Sequence, residues 1–322
     1  MRFLILLLLV SLFSCQRQVT LNLPASDRPV YLWEAAWSPD GKYIAIGGNI
    51  DTLRILSAKD FTVVKTYAIH ETITKVRWHP TKPLLAVATQ TSKDGLVLVD
   101  YEADNLQYIP GAPPSGGRGL GWNSTGEVLA FGDNEGDIHF FSATGKLLRK
   151  VSTGQKTVID LSWHPKRNEL ATVSEDISRY NYDQDSFLPI IKDRPEETLM
   201  LCVAWHPSGE FFVSGDYGDF EKDYPPLLRY WTADGTLLHS IERSKAEYRN
   251  LRWSPDGSTL ASSSEAVRLW SSKGELLAEQ VTPDLLWGVD WSPDGKRLVT
   301  SGDVGAVSIW TQQLRLIATT EE

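Results

Sequence analysis

A tryptophan followed by a tight turn recurs seven times in this chain. It stands at Trp37, Trp78, Trp122, Trp163, Trp205, Trp253 and Trp291, in steps of 38 to 48 residues. The phrases "RWSPDGSTLASSSEAVRLW" (252–270) and "DWSPDGKRLVTSGDVGAVSIW" (290–310) are nearly the same statement made twice. Such a period constrains a chain more than composition does. Each copy must be one supersecondary unit whose exposed face is buried by its neighbours. A second anchor closes each copy, at Leu56, Val99, Phe141, Tyr182, Trp231, Trp270 and Trp310.

Within a copy the residues read as strands. "EAAWSP" alternates and stops at a turn; "KYIAIGG", "STLASSS" and "KRLVTSG" end in Gly or Ser; "AVRLW" and "AVSIW" alternate again; "GKLLRKV" and "GELLAEQV" follow a Gly turn. Four short strands separated by turn residues argue antiparallel β structure. Pro-Asp-Gly and Pro-Ser-Gly suit a type I turn ending in a left-handed residue. One four-stranded unit cannot bury both of its faces, whereas seven arranged radially do so against each other. The expected fold is therefore all-β: a seven-bladed β-propeller of four-stranded antiparallel blades over residues 31–322. The ring is expected to close with "LRLIAT" (314–319) as the outermost strand of the last blade, the N-terminal "QVTLNL" (18–23) being the competitor.

The period, the strand count and the closing aromatic in "RLW", "SIW" and "RYW" make the chain similar to the WD-repeat family over about nine-tenths of its length. "WSPDGK" also resembles the propellers of the periplasmic Tol system and of prolyl oligopeptidases, but the closing Trp favours the WD-repeat likeness. Two features depart from that family. No copy ends in Trp-Asp, and the Gly-His pair ahead of the first strand is replaced, Ile69-His70 being the nearest match.

Residues 1–14, "MRFLILLLLVSLFS", have a basic start and an apolar run too short to span a bilayer, the shape of a secretory signal. Leu12-Phe13-Ser14-Cys15 resembles the lipobox of bacterial lipoproteins, which implies a lipidated Cys15 and a tether over 15–30. Gln16 after the Cys is compatible, within that resemblance, with the outer membrane. An ordinary cleaved signal with an incidental Cys is the plainer alternative. The one other cysteine is Cys202, so stability is expected to come from burial. A net charge of −9 without a basic run argues against nucleic acid.

Chemistry is harder to find. His79, His164 and His206 all follow the first anchor in "WHP", where other copies have Ser, so each belongs to its own blade and no metal site is expected. Gly-x-Ser-x-Gly is absent. "GAPPSGGRGLG" (111–121) lacks the Gly-Lys-Ser/Thr ending of a phosphate loop, and "DYGDFEKDYPP" (216–226) lacks calcium-loop spacing. No cofactor is expected. What remains is surface. Trp33 and Trp287 each stand four residues before their anchor, in blades that become neighbours when the ring closes; Tyr248 and Arg249 occupy the matching place in blade six; and the blade-five insertion brings Tyr217, Phe220 and Tyr224. These seven residues are expected to form an arc that binds a protein or peptide partner, since Trp, Tyr and Arg dominate binding hot spots. The bland reading is that both Trp cap the layer between blades. The expectation is thus a monomeric, non-catalytic binding propeller, lipid-anchored in the cell envelope. Its rival is an envelope hydrolase or lyase with its site at the central channel, where Glu34, Asp160, Arg252 and Asp290 could converge.

Overall fold

The structure is a computed structural model that describes residues 17–18, 29–90, 95–192 and 198–320. Seven four-stranded antiparallel sheets follow one another along the chain. Blade one is built from Glu34–Trp37, Tyr43–Gly47, Thr52–Ser57 and Val63–Ala68. The innermost strands of the seven blades are Glu34–Trp37, Ile73–Trp78, Gly117–Trp122, Asp160–Trp163, Met200–Trp205, Asn250–Trp253 and Leu286–Trp291. Each touches the next, and the last touches the first. The fold is the expected seven-bladed propeller.

The core explains why the repeat works. Seven clusters of buried side chains each straddle one junction between blades. The seam cluster joins Ala35, Trp37 and Ile44 of blade one to Val299, Val307 and Ile309 of blade seven. A sheet with one bare face gains about 25 cal/mol for each Å² it hides, so an isolated blade would leave half of that gain unrealised.

The recurrent Trp has a role beyond filling space. Its indole N–H donates to a backbone carbonyl of the preceding blade: Trp78 to Ala36 (3.1 Å), Trp122 to Arg77 (3.3 Å), Trp163 to Gly121 (2.8 Å) and Trp291 to Arg252 (3.2 Å). The "WHP" histidines bond in the opposite sense, to the following blade. Nε2 of His79, His164 and His206 meets the carbonyl of Gly126, Gly209 and Gly257. The Nδ1 atom of His79 accepts from the N–H groups of Thr81 and Lys82, so the proton sits on Nε2 and the ring is neutral. These histidines are blade connectors. Gly126, Gly209 and Gly257 have φ of +74°, +76° and +73°, the left-handed end of the expected turn.

The closing aromatics also do more than pack. In blades five, six and seven, Trp231, Trp270 and Trp310 donate to Ser214, Ser262 and Thr300 on the second strand, each at 2.9 Å. In blade four the second anchor is Tyr180, not Tyr182: Leu170 pairs with Tyr180, as Leu260 pairs with Trp270. The two tyrosines share a strand parity, so alternation alone does not separate them.

Leu316–Thr319 pairs antiparallel with Val307–Thr311 and completes blade seven. Arg17–Gln18 adds to it as a parallel fifth strand; residues 19–23 of the competing segment lie outside the described residues.

Candidate functional site

The residue four places before each anchor lies where the inner strand begins. From blades one to seven it is Trp33, Thr74, Arg118, Ile159, Leu201, Arg249 and Trp287, and all seven line one opening at the upper mouth of the central channel. In blades two, three, five and seven the inner strand has a register irregularity there. A bulge of that kind re-aims a side chain out of the pleat, which brings successive residues to the channel.

Three of the expected arc residues meet at this mouth. Trp33 and Trp287 stack with ring centroids 5.3 Å apart and planes 9° apart. The Arg249 guanidinium lies 4.0 Å over Trp287 and is paired with Glu247. The Trp287 indole N–H donates to Asp303 (2.5 Å). A fourth residue, absent from the expected arc, joins them: Arg118 of blade three lies 4.8 Å over Trp33. Small Thr74 on the intervening blade, its hydroxyl turned to the Gly117 carbonyl, leaves that path open.

The other expected residues fall elsewhere. Tyr248 is fully buried between blades five and six with Leu228, Tyr230 and Leu251, so it is a core residue rather than a rim one. The physical reason is its place one residue before the mouth, where the strand turns the side chain into the junction, against Gly215. Tyr217 is exposed. The Tyr224 hydroxyl accepts from Arg229 (2.6 Å), which also pairs with buried Asp216 (2.9 Å). This ties the insertion to its own blade. The side chain of Phe220 lies outside the described residues.

Below the mouth the charged residues of the inner strands converge, as the rival reading requires. Glu34, wholly buried, faces Arg77 (3.0 Å), Lys75 (3.7 Å) and Arg252 (3.8 Å) and accepts from Asn250 (3.2 Å). Lys75 also reaches Asp160 (3.2 Å), and Arg252 approaches Asp290 (3.8 Å). Asp290 accepts from the Trp37 N–H across the blade seven–blade one junction (2.8 Å). Burial pushes the Asp290 carboxyl up to about 7, with the charge of Glu34 adding and the Trp37 N–H and Arg77 opposing. A second opening, of about 300 Å³, lies at the far end of the channel, lined by Arg77, Arg252 and the indoles of Trp78, Trp122 and Trp163.

Two of the blade-connecting histidines and Asp290 act on stability in opposite senses as pH changes. Burial depresses His79 and His164, so the neutral ring is favoured in the folded state. Their contribution is complete above the unfolded value of about 6.5 and is lost as pH falls below it. Asp290 is raised, so its contribution is complete below the unfolded value and is lost as pH rises through about 7. Between pH 7 and 5 the carboxyl therefore offsets part of the histidine loss. Asp290→Asn is expected to steepen the fall of the urea midpoint over that window; an unchanged slope would refute the assignment.

Among the described residues, Asp133, Asp137 and His139 come close enough to suggest a cation site. The Asp133 carboxylate is already taken up by His139 (2.9 Å) and by the N–H groups of Glu135 and Asp137, and Asp137 pairs with Lys150 (2.7 Å). The group is a turn lock.

The fold defines the class of protein, and sequence comparison agrees with it. A model of the WD40 domain of anaphase-promoting complex subunit 4 matches residues 8–81 and 76–166, and one of the WD domain, G-beta repeat, matches 196–220 and 275–311. The chain is a seven-bladed propeller of WD40 repeats. It is 24% identical to Protein FIZZY-RELATED 2 of Arabidopsis thaliana over 306 residues, 90% of this chain and 60% of that one. It is 23% identical to Periodic tryptophan protein 2 homolog of Caenorhabditis elegans over 290 residues, 84% of this chain and 30% of that one. A shorter stretch of 104 residues, 28% of this chain and 35% of the other, is 34% identical to Protein transport protein sec13 of Aspergillus oryzae. The chain thus spans less than two thirds of each of these relatives.

Proposed function

We propose that the chain is a non-catalytic propeller that docks a protein or peptide on its upper mouth, and that it is held in the cell envelope, at the outer membrane, by lipid on Cys15. The observation that carries the docking reading is the inequality of the ring at the mouth. A repeat supplies seven equivalent positions, yet blades one, three, six and seven carry Trp33, Arg118, Arg249 and Trp287 in mutual contact, while the others carry Thr74, Ile159 and Leu201. Amphipathic rings bury much area for few rotors, and a guanidinium adds a planar fork of hydrogen-bond donors. The relatives named for protein transport and for Fizzy support a scaffold.

The catalytic alternative draws on Asp290, whose carboxyl is pushed into the range of a working acid or base. Against it, Glu34, Asp160, Arg252 and Asp290 all face oppositely charged groups of the channel. The lipid part rests on the sequence "LFSC", which lies outside the described residues.

A photo-crosslinking side chain placed at position 217 on the upper face, in intact cells, is expected to capture a defined protein, and one at position 82 on the lower face to capture none. Equal capture from both faces would defeat the docking reading. A fatty-acid analogue is expected to label the wild type and not Cys15→Ser; equal labelling refutes the anchor.

A further inference from the structure

The mouth holds an excess of hydrogen-bond donors. Among the described residues no carboxylate or carbonyl pairs with Arg118; its one contact is the face of Trp33. The indole N–H of Trp33 and Nε of Arg249 are buried and find no acceptor. The neighbouring acids are committed: Glu247 to Arg249, Asp303 to Trp287, and Glu34 and Asp160 to Lys75. Burial lowers the proton affinity of Arg118, and the like charge of Arg249 lowers it further. Arg118 is partly buried, and a cation held beside Arg249 with no carboxylate of its own is a cost the fold carries.

We infer that Arg118, Arg249 and the Trp33 N–H together hold a carboxylate carried by the docked partner. This rests on the docking reading above. The inner part of the opening, about 40 Å³, is enough for a group the size of one or a few waters, such as a carboxylate. A planar carboxylate suits a guanidinium fork, which bonds it through two parallel N–H groups. The indole N–H supplies a third donor beside it. The carboxylate has two sources of the same chemistry: the partner's C-terminus, or an Asp or Glu side chain.

The test uses the full propeller labelled with ¹⁵N and reads its indole N–H resonances, the Trp33 signal being the one missing from Trp33→Phe. Acetate, titrated at constant ionic strength, is expected to shift that signal saturably, and acetamide, similar in shape but uncharged, is expected to leave it. Arg118→Met is expected to abolish the shift, and Arg118→Lys, which keeps charge but loses the fork, to weaken acetate at least 10-fold; both spectra should otherwise match the wild type. An Arg118→Met chain that does not fold leaves the Lys variant and the acetamide comparison to decide. Tighter binding of N-acetylglycine than of the α-amide of N-acetylaspartic acid, which keeps only the side-chain carboxylate, points to a C-terminus, and the reverse to a side chain. No response to acetate in the wild type, or an equal response in Arg118→Met, overturns the inference. If acetate has no effect while Trp287→Ala still loses the partner, docking stands and the carboxylate falls. If acetate binds while Trp287→Ala keeps its partner, the anion site stands and docking falls.

Discussion

Replacing Glu34 with alanine is expected to cost about 3–5 kcal/mol of folding free energy, the range for breaking a buried ion pair from one side. The side chain is fully buried at the hub of the channel, with Arg77, Lys75 and Arg252 around it and Asn250 donating to it. Removing it leaves three cations facing one another in a space closed by the inner strands. Lys75 retains Asp160, and Arg252 retains Asp290. Arg77 retains the carbonyl of Val76 (2.8 Å) and a longer-range attraction to Asp290, with no other ion pair among the described residues, so it should suffer most. A double-mutant cycle with Arg77→Ala tests this: the double variant should recover part of the loss, because the stranded charge is gone with its partner. An unfolding free energy for Glu34→Ala, from urea titration, within about 0.5 kcal/mol of the wild type, the usual size of surface substitutions, would show that water screens the channel.

Trp287→Ala is expected to weaken partner binding by roughly 2 kcal/mol or more, about 30-fold in affinity. The variant loses the ring that stacks on Trp33, carries Arg249 and donates to Asp303. Its effect on stability should be smaller. The stack itself contributes about 0.5–1.5 kcal/mol, and the indole is half-buried at a mouth rather than enclosed in one of the seven junctions. Lys82→Ala, in a turn at the opposite end, should leave binding unchanged. A sharp fall in melting temperature with normal binding by the remaining folded protein would show that the indole serves packing alone.

The architecture was legible because its signal is one of period. Seven Trp-turn phrases fix seven blades, and in four of them the indole's bond to the blade before it gives Trp a role that no other large apolar residue could fill. Tyr180 was misread as Tyr182 because a slip of two residues preserves strand parity. The site was legible only in part. The meeting of Trp33 and Trp287 follows from ring closure, since adjacent blades can be inferred by counting. Arg118 was visible in the same column of the repeat, four before Trp122, but its reach past blade two to Trp33 depends on the channel's width and on the size of Thr74. Tyr248 shows the converse error. It is the immediate neighbour of Arg249, and at the start of the inner strand that single step divides the channel from the interior.

Blade seven takes all four of its antiparallel strands from the C-terminal end of the chain, and the N-terminal side adds to it only the two-residue parallel strand Arg17–Gln18 at its outer edge. The circle consequently has one latch point, which none of the antiparallel blade strands crosses. It is fastened by the packed cluster between blades one and seven, by Leu32 N–H on the Gly302 carbonyl (3.0 Å) and by the Trp37–Asp290 contact. The stacked indoles straddle the same place. A ligand seated there would bridge the first and last blades, and by mass action it would raise the melting temperature as its concentration rises. Recognition and closure of the circle would then be one equilibrium, since prising the end blades apart dismantles the pair of rings that receives the partner.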